Sequence, residues 1–232
     1  MHQKIDTILS FYKFTKLSSL PDIKNKLFKY LENKNIYGTV IIANEGINVN
    51  ICGNRKNIDK AKYFFENLIK YKKVHYNQSK INSKAFTKLK VKIKNEIIKA
   101  GFQVTESRVQ NNQSLDPNQW NKLLDKKPIL IDMRNRFEFM LGSFNNAKSL
   151  DLLNFSDIRA SLQDTDVLDK NQNIAIFCTG GIRCEKAAIA LKDIGFKNIY
   201  QLKGGIVNYI DNNKDLSHWE GDCFVFDDRI TL

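Results

Sequence analysis

Two modules are predicted from this sequence: an α+β sandwich of order βαββαβ with one further strand, then an α/β domain on a doubly wound, mostly parallel sheet. Three observations carry the prediction. In the first hundred residues, short apolar runs and two helix-period patterns follow one another as strand, helix, strand, strand, helix, strand. After residue 116, short apolar runs alternate with helical segments. The charge also changes sign between the two parts. Residues 1–100 hold 21 lysines and arginines against 7 acidic residues, and residues 101–232 hold 16 against 18, so the first part supplies the whole excess behind the net charge of +12. A genome-wide taste for lysine explains many lysines but not this asymmetry, which predicts a polyanionic partner for the first module.

Within residues 1–100, Ile8 to Phe14 reads as an extended apolar run, and Ile23, Leu27, Tyr30 and Leu31 recur at helical spacing behind Pro21. Thr39 to Ala43, a turn at Glu45-Gly46 and Ile47 to Cys52 form a hairpin. Ile58, Ala61, Phe65, Leu68 and Ile69 mark a second amphipathic helix, and Val74 to Tyr76 a short strand after it. This order is that of a ferredoxin-like sandwich. From Lys84 to Lys94 lysine then alternates with apolar residues, which puts Lys88, Lys90, Lys92 and Lys94 on one face of a strand. No acidic residue occurs between Tyr71 and Lys94. One reading is an edge strand kept from aggregating by its lysines. The other is that a self-repelling stripe waits for nucleic acid, with Lys84, Lys88, Lys90, Lys92 and Lys94 as the contacts.

Residues 101–116 are polar and aperiodic and are expected as a linker. Asp116-Pro117 caps a helix holding Trp120, Leu123 and Leu124. Apolar strands at Ile129–Ile131, Ala147–Ser149, Ile174–Phe177 and Ile199–Gln201 then alternate with helices. The second domain is expected at 117–216, with 217–232 as a tail.

The chemistry is expected at Cys178-Thr179-Gly180-Gly181-Ile182-Arg183, where an apolar strand delivers a cysteine onto a glycine loop that opens the helix Glu185–Leu191. Unpaired loop amides, the helix N-terminus and the Arg183 charge should bring the thiol from about 8.5 toward neutrality and make it a nucleophile. A buried structural cysteine is the alternative. Four residues separate Cys178 from Arg183, where the phosphate cradle of tyrosine phosphatases has five. The shorter loop resembles the rhodanese loop, Cys-x-x-Gly-x-Arg. Asp132-Met133-Arg134, Glu138-Phe139, Gly142 and Ala147 likewise resemble the rhodanese strand signature, and Gly204 to Tyr209 its closing segment. Asp132, Arg134 and Glu138 are expected to brace the loops, with direct catalysis as the minor alternative.

The cysteines, at 52, 178, 184 and 223, include no C-x-x-C pair and no histidine at zinc spacing, so neither a disulfide framework nor a metal site is expected. Cys184 is placed to resolve an oxidised or persulfidated Cys178. The first residues lack a signal-peptide pattern and no long apolar segment follows, so a cytoplasmic protein without a membrane span is expected.

Three further stretches narrow the resemblance: Ala43-Asn44-Glu45-Gly46-Ile47-Asn48, Lys94-Asn95-Glu96-Ile97, and Trp219 through Arg229. With the loop Cys178 to Lys186, they resemble the bacterial tRNA uridine hydroxylase family over nearly the whole chain. The resemblance implies oxygen-dependent 5-hydroxylation of the wobble uridine of tRNA, with Cys178 essential. It also implies tRNA rather than DNA as partner, and Asn44, Glu45 and Asn48 of the hairpin on the substrate side. No cofactor is evident beyond molecular oxygen as co-substrate, and the sequence leaves the oligomeric state open. The family usually continues Asn-Glu-Gly-Ile-Asn with Gly-Thr, where this chain has Val49-Asn50. The metal site of the cysteine-rich extension in longer members is not carried over. Two rivals remain from the residues alone: a sulfurtransferase carrying a Cys178 persulfide, and a noncatalytic RNA-binding redox sensor switching through Cys178 and Cys184.

Overall fold

The computed structural model describes residues 5–71, 74–82, 84–163, 169–213 and 216–232. The chain divides into two compact units, Met1–Ile97 with Phe226–Arg229, and Ile98–Val225 with Ile230–Leu232.

The first unit runs β1 (Thr7–Phe14), α1 (Leu20–Glu32), β2 (Tyr37–Ala43), β3 (Gly46–Gly53), α2 (Arg55–Ile69), β4 (Asn77–Lys80) and β5 (Leu89–Ile93). Its sheet has the order β4-β1-β3-β2-β5, the ferredoxin-like order with β5 added in parallel beside β2. Alternation along β1 buries Leu9 and Phe11 against Leu27 and Leu31 of α1 and Ile58, Ala61 and Phe65 of α2. The strand after α2 is Asn77–Lys80, not Val74–Tyr76 as expected. Val74 and Tyr76 are apolar because they pack on the core from the approach to that strand, Tyr76 edge-on to Phe11 at 5.1 Å. The polar residues of β4 need only backbone pairing with β1 at the sheet edge. In β5, Val91 is buried and Leu89 half-buried while Lys90 and Lys92 are exposed, so the expected alternation holds over residues 89–92, but Ile93 at the strand end is exposed.

The second unit runs α3 (Glu106–Gln110), β6 (Gln113–Leu115), α4 (Pro117–Leu124), β7 (Ile129–Asp132), α5 (Arg136–Leu141), β8 (Gly142–Phe144), β9 (Lys148–Ser149), a 3-10 turn (Phe155–Asp157), α6 (Ile158–Ser161), β10 (Asn173–Phe177), α7 (Ile182–Asp193), β11 (Asn198–Leu202), α8 (Gly205–Asn212) and β12 (Trp219–Gly221). The main sheet, β6-β11-β10-β7-β9, is parallel throughout. Alternate residues of β10 serve opposite faces: Ile174 and Ile176 pack with Ala187, Ala188 and Leu191 of α7, whereas Ala175 and Phe177 pack with Trp120, Ile206 and Tyr209. Helices on both faces make the sheet doubly wound, as expected.

Residues 101–116 are not a plain linker. They hold α3 and the edge strand β6, which pairs with β11 through Gln113, Ser114 and Leu115. A three-residue edge strand needs no hydrophobic pattern, so its polar sequence concealed it. The 217–232 segment is likewise more than a tail, since β12 pairs antiparallel with β8. Among the described residues no helix is long and apolar enough to cross a membrane.

Candidate active site

Cys178 follows β10 directly, at the carboxyl end of the parallel sheet where α/β sites gather. The end of β7 lies alongside, with Asp132 in register with Phe177 and the Met133 amide donating to the Phe177 carbonyl at 2.9 Å. The chain then curls, with Gly181 at φ +95°, and enters α7 at Ile182. The curl turns the Gly181 amide onto Cys178 Sγ at 3.1 Å. The outside of the loop is held by the first turn of α8, whose Ile206 and Val207 amides donate to the Cys178 and Thr179 carbonyls at 3.0 and 3.1 Å. With carbonyls fastened outward, amides are left facing the sulfur. Gly205, at φ +69°, lies so close beneath that a Cβ there would stand 2.5 Å from both carbonyl oxygens. Only glycine fits.

Burial disfavours a charge on the fully covered Cys178, yet its pKa is lowered to about 6. A hydrogen bond from the Cys184 thiol, the Arg183 charge and the amides of Cys184 and Arg183 together outweigh the burial. Burial and the same thiol–thiol bond push Cys184 up, so it stays protonated as donor. The sign is direct: below about pH 6 Cys178 is a thiol, and above it a thiolate. Alkylation of Cys178 by iodoacetamide should therefore rise with pH and reach half its plateau rate at about 6. A midpoint at an ordinary thiol value of about 8.5 would contradict this electrostatic account.

Arg183, itself buried, makes a two-pronged ion pair with Glu138 at 2.6 and 2.8 Å and donates to Thr179 Oγ1 at 3.0 Å. The Thr179 hydroxyl in turn donates to Glu138 Oε1 at 3.1 Å, and the Asn135 amide to Oε2 at 3.1 Å. Burial alone would raise the Glu138 pKa, but the hydrogen bond and charge of Arg183 bring it below the usual carboxylate value. Asp132 and Arg134 form a second, separate pair, fully buried, with contacts of 2.7 to 3.1 Å. Ser143 donates to Asp132 at 2.9 Å and Arg134 to the Gly142 carbonyl, which ties β7 to β8. The structure thus brings Cys178, Thr179, Arg183, Cys184 and Glu138 into one network, with Asp132 and Arg134 as its neighbouring brace. Among the described residues no group of three or more histidine, cysteine or acidic side chains is arranged to hold a metal ion.

Residues 7–97 match the model of the UPF0176 acylphosphatase like domain, and residues 116–212 that of the rhodanese-like domain. A tRNA uridine(34) hydroxylase of Pelagibacter ubique (strain HTCC1062) is 44% identical over 228 residues, covering 97% of this chain and 74% of that protein. The chain belongs to the tRNA uridine(34) hydroxylase family. Relatives of the same name from Legionella pneumophila (strain Paris) and Prochlorococcus marinus (strain MIT 9515) are 36% and 39% identical, covering 97% and 99% of this chain and 89% and 76% of theirs.

In this member of the hydroxylase family the remaining expected site residues lie in the first unit. Lys84, Lys88, Lys90, Lys92 and Lys94 are all exposed, and the Lys84 ammonium sits 3.4 Å over the Tyr37 ring. The hairpin residues are engaged in the fold: buried Glu45 accepts from the Ile97 amide at 2.9 Å, and Asn48 donates to the Ile97 carbonyl at 3.1 Å. Asn44 is exposed, and its carbonyl accepts from Leu17 at 3.1 Å. Gly205 was not singled out from the hydroxylase sequence as part of the site. Its signal was the Gly204-Gly205 pair just after an apolar strand, and only the tertiary contact gives that pair its meaning.

Proposed function

We propose that the chain 5-hydroxylates the wobble uridine of tRNA in the cytoplasm, with molecular oxygen as co-substrate. The observation that carries this reading is the Cys178 thiolate, ionised near pH 6 inside an amide-lined loop, in a chain of this family. Uracil is unreactive at C5 until a nucleophile adds at C6. Addition of Sγ forms an S–C6 bond and moves an electron pair toward C5 and the C4 carbonyl, which makes C5 the nucleophile for an oxygen atom. Loss of the C5 proton and expulsion of the thiolate then restore the ring and the free cysteine. The low pKa serves both ends, since it supplies the attacking thiolate and a good leaving group.

The test is mass spectrometry of tRNA from cells lacking the gene and complemented with it, grown under ¹⁸O₂; the cells supply the two electrons that the second oxygen atom needs to become water. The expected result is 5-hydroxyuridine restored at the wobble position and carrying the label. Unlabelled hydroxyl would remove oxygen as co-substrate, and restoration of a thiolated uridine would move the assignment to sulfur transfer through a Cys178 persulfide.

Capture of the tRNA is assigned to the basic first unit. Replacing Lys88, Lys90 and Lys92 with glutamate should weaken tRNA binding and reduce the slope of log affinity against log salt by roughly 2–3, as counterion release requires. The pH midpoint of Cys178 alkylation should stay where it is. An unchanged salt slope would take these lysines out of the RNA contact.

A further inference from the structure

Three glycines lie in or against the cysteine loop, and the fold accounts for two of them. Gly181 has φ +95°, and Gly205 has φ +69° with two carbonyl oxygens 2.5 Å from where its Cβ would be. Gly180 differs on both counts. It is not among the residues of positive φ, and a Cβ built on it meets no atom within 4 Å. An alanine or a larger side chain fits there without strain, and glycine is the poorer choice for a loop that must hold still, because it leaves the unfolded chain more freedom to lose. Neither backbone geometry nor packing therefore explains why position 180 is bare.

Its location does. The peptide joining Gly180 to Gly181 is the one whose N–H donates to Cys178 Sγ at 3.1 Å. Cys178 and Gly181 are buried, whereas Thr179, Gly180 and Ile182 are partly exposed, so the face of the loop nearest solvent is the one that carries Gly180. A pyrimidine that is to place C6 against the sulfur brings its ring and its ribose across this side, and needs room there over its full width. A small alkylating reagent such as iodoacetamide needs far less.

We propose that Gly180 determines the specificity of the loop: its missing side chain keeps the approach to the Cys178 sulfur wide enough for the base and sugar of an RNA nucleotide. This rests on the reading of uridine as substrate. A leucine at 180 leaves the sulfur, its amide donors and Arg183 in place, yet fills the space that the ring must cross.

The experiment uses the full chain with Gly180→Ala and Gly180→Leu, beside wild type, in cells lacking the gene. Three quantities are measured: wobble 5-hydroxyuridine, the melting temperature, and the rate and pH midpoint of Cys178 alkylation by iodoacetamide. Expected for Gly180→Leu are a loss of hydroxyuridine of about tenfold or more, a melting temperature no lower than wild type, and alkylation of unchanged rate and midpoint. Gly180→Ala should give a smaller loss in the same direction. Wild-type levels of hydroxyuridine with leucine at 180 would overturn the proposal. So would alkylation falling in step with hydroxylation, because position 180 would then be shaping the loop rather than its entrance. The wild-type control is read separately: if it restores no hydroxyuridine, the uridine reading itself is overturned, and the proposal with it.

Discussion

Replacing Cys178 with serine is expected to abolish wobble 5-hydroxyuridine in cells while leaving the protein folded. The two side chains differ by one atom, and the Gly181 amide that donates to Sγ at 3.1 Å can donate equally to a hydroxyl. What is lost is the charge. The arrangement that holds Cys178 ionised at about 6 is far too weak to ionise an alcohol near neutral pH, so both the attacking anion and the low-pKa leaving group disappear. A buried negative charge also goes, while Arg183 keeps Glu138 at 2.6 Å, so no charge is left unpaired. The melting temperature should therefore stay within a few degrees of wild type, on the order of 1 kcal/mol for a chain of this size. Mass spectrometry of tRNA and a thermal melt together check the prediction, and normal hydroxyuridine with Cys178→Ser would sink the nucleophile assignment.

The second large effect is expected at Glu138, which does not touch the sulfur. Glu138→Gln keeps the volume but leaves the Arg183 guanidinium buried without its counter-charge. Breaking a buried pair in this way costs about 3–5 kcal/mol, which lowers the melting temperature by roughly 10 °C. Removing the carboxylate has an opposite effect on the thiol. Arg183 already pulls the Cys178 pKa down, and without Glu138 to offset it the pull strengthens, so the alkylation midpoint should move below 6. A role in simple packing would lower the melting temperature without moving that midpoint. Adding Arg183→Met to Glu138→Gln should recover part of the lost stability, since the orphaned charge is then gone.

The low-pKa cysteine and its loop were legible because their chemistry is local in sequence. Cys178, the loop glycines and Arg183 fall within six consecutive residues, and the strand before them and the helix after them carry strong patterns. Asp132, Arg134 and Glu138 could be read as a bracing set, but their pairing could not. Arg134 takes the carboxylate two residues back, while Arg183 reaches a carboxylate 45 residues away, and only the folded sheet makes those two choices. Gly205 stayed hidden for the same reason, since its constraint comes from carbonyls of a loop more than 20 residues earlier. The resemblance implies Glu45 and Asn48 on the substrate side, but their bonds to the Ile97 peptide, about 50 residues on, appear only in the fold. In the first unit, β4 escaped notice because an edge strand of Asn77, Gln78, Ser79 and Lys80 is held by backbone pairing and shows no apolar alternation.

The ion pairs at the cysteine loop also set its sign. Arg134 is paired with Asp132 and Arg183 with Glu138, so each of these two buried guanidinium groups has a carboxylate against it. Once Cys178 is ionised the cradle as a whole carries a net negative charge. A dianion such as thiosulfate meets repulsion there at close range, whereas an uncharged pyrimidine ring does not. The positive excess lies instead in the first unit, where residues 1–100 hold 21 lysines and arginines against 7 acidic residues. Positive excess and reactive sulfur are therefore carried by different units of one chain, the first rich in lysine and the second with the arginines of its cysteine loop and brace already paired.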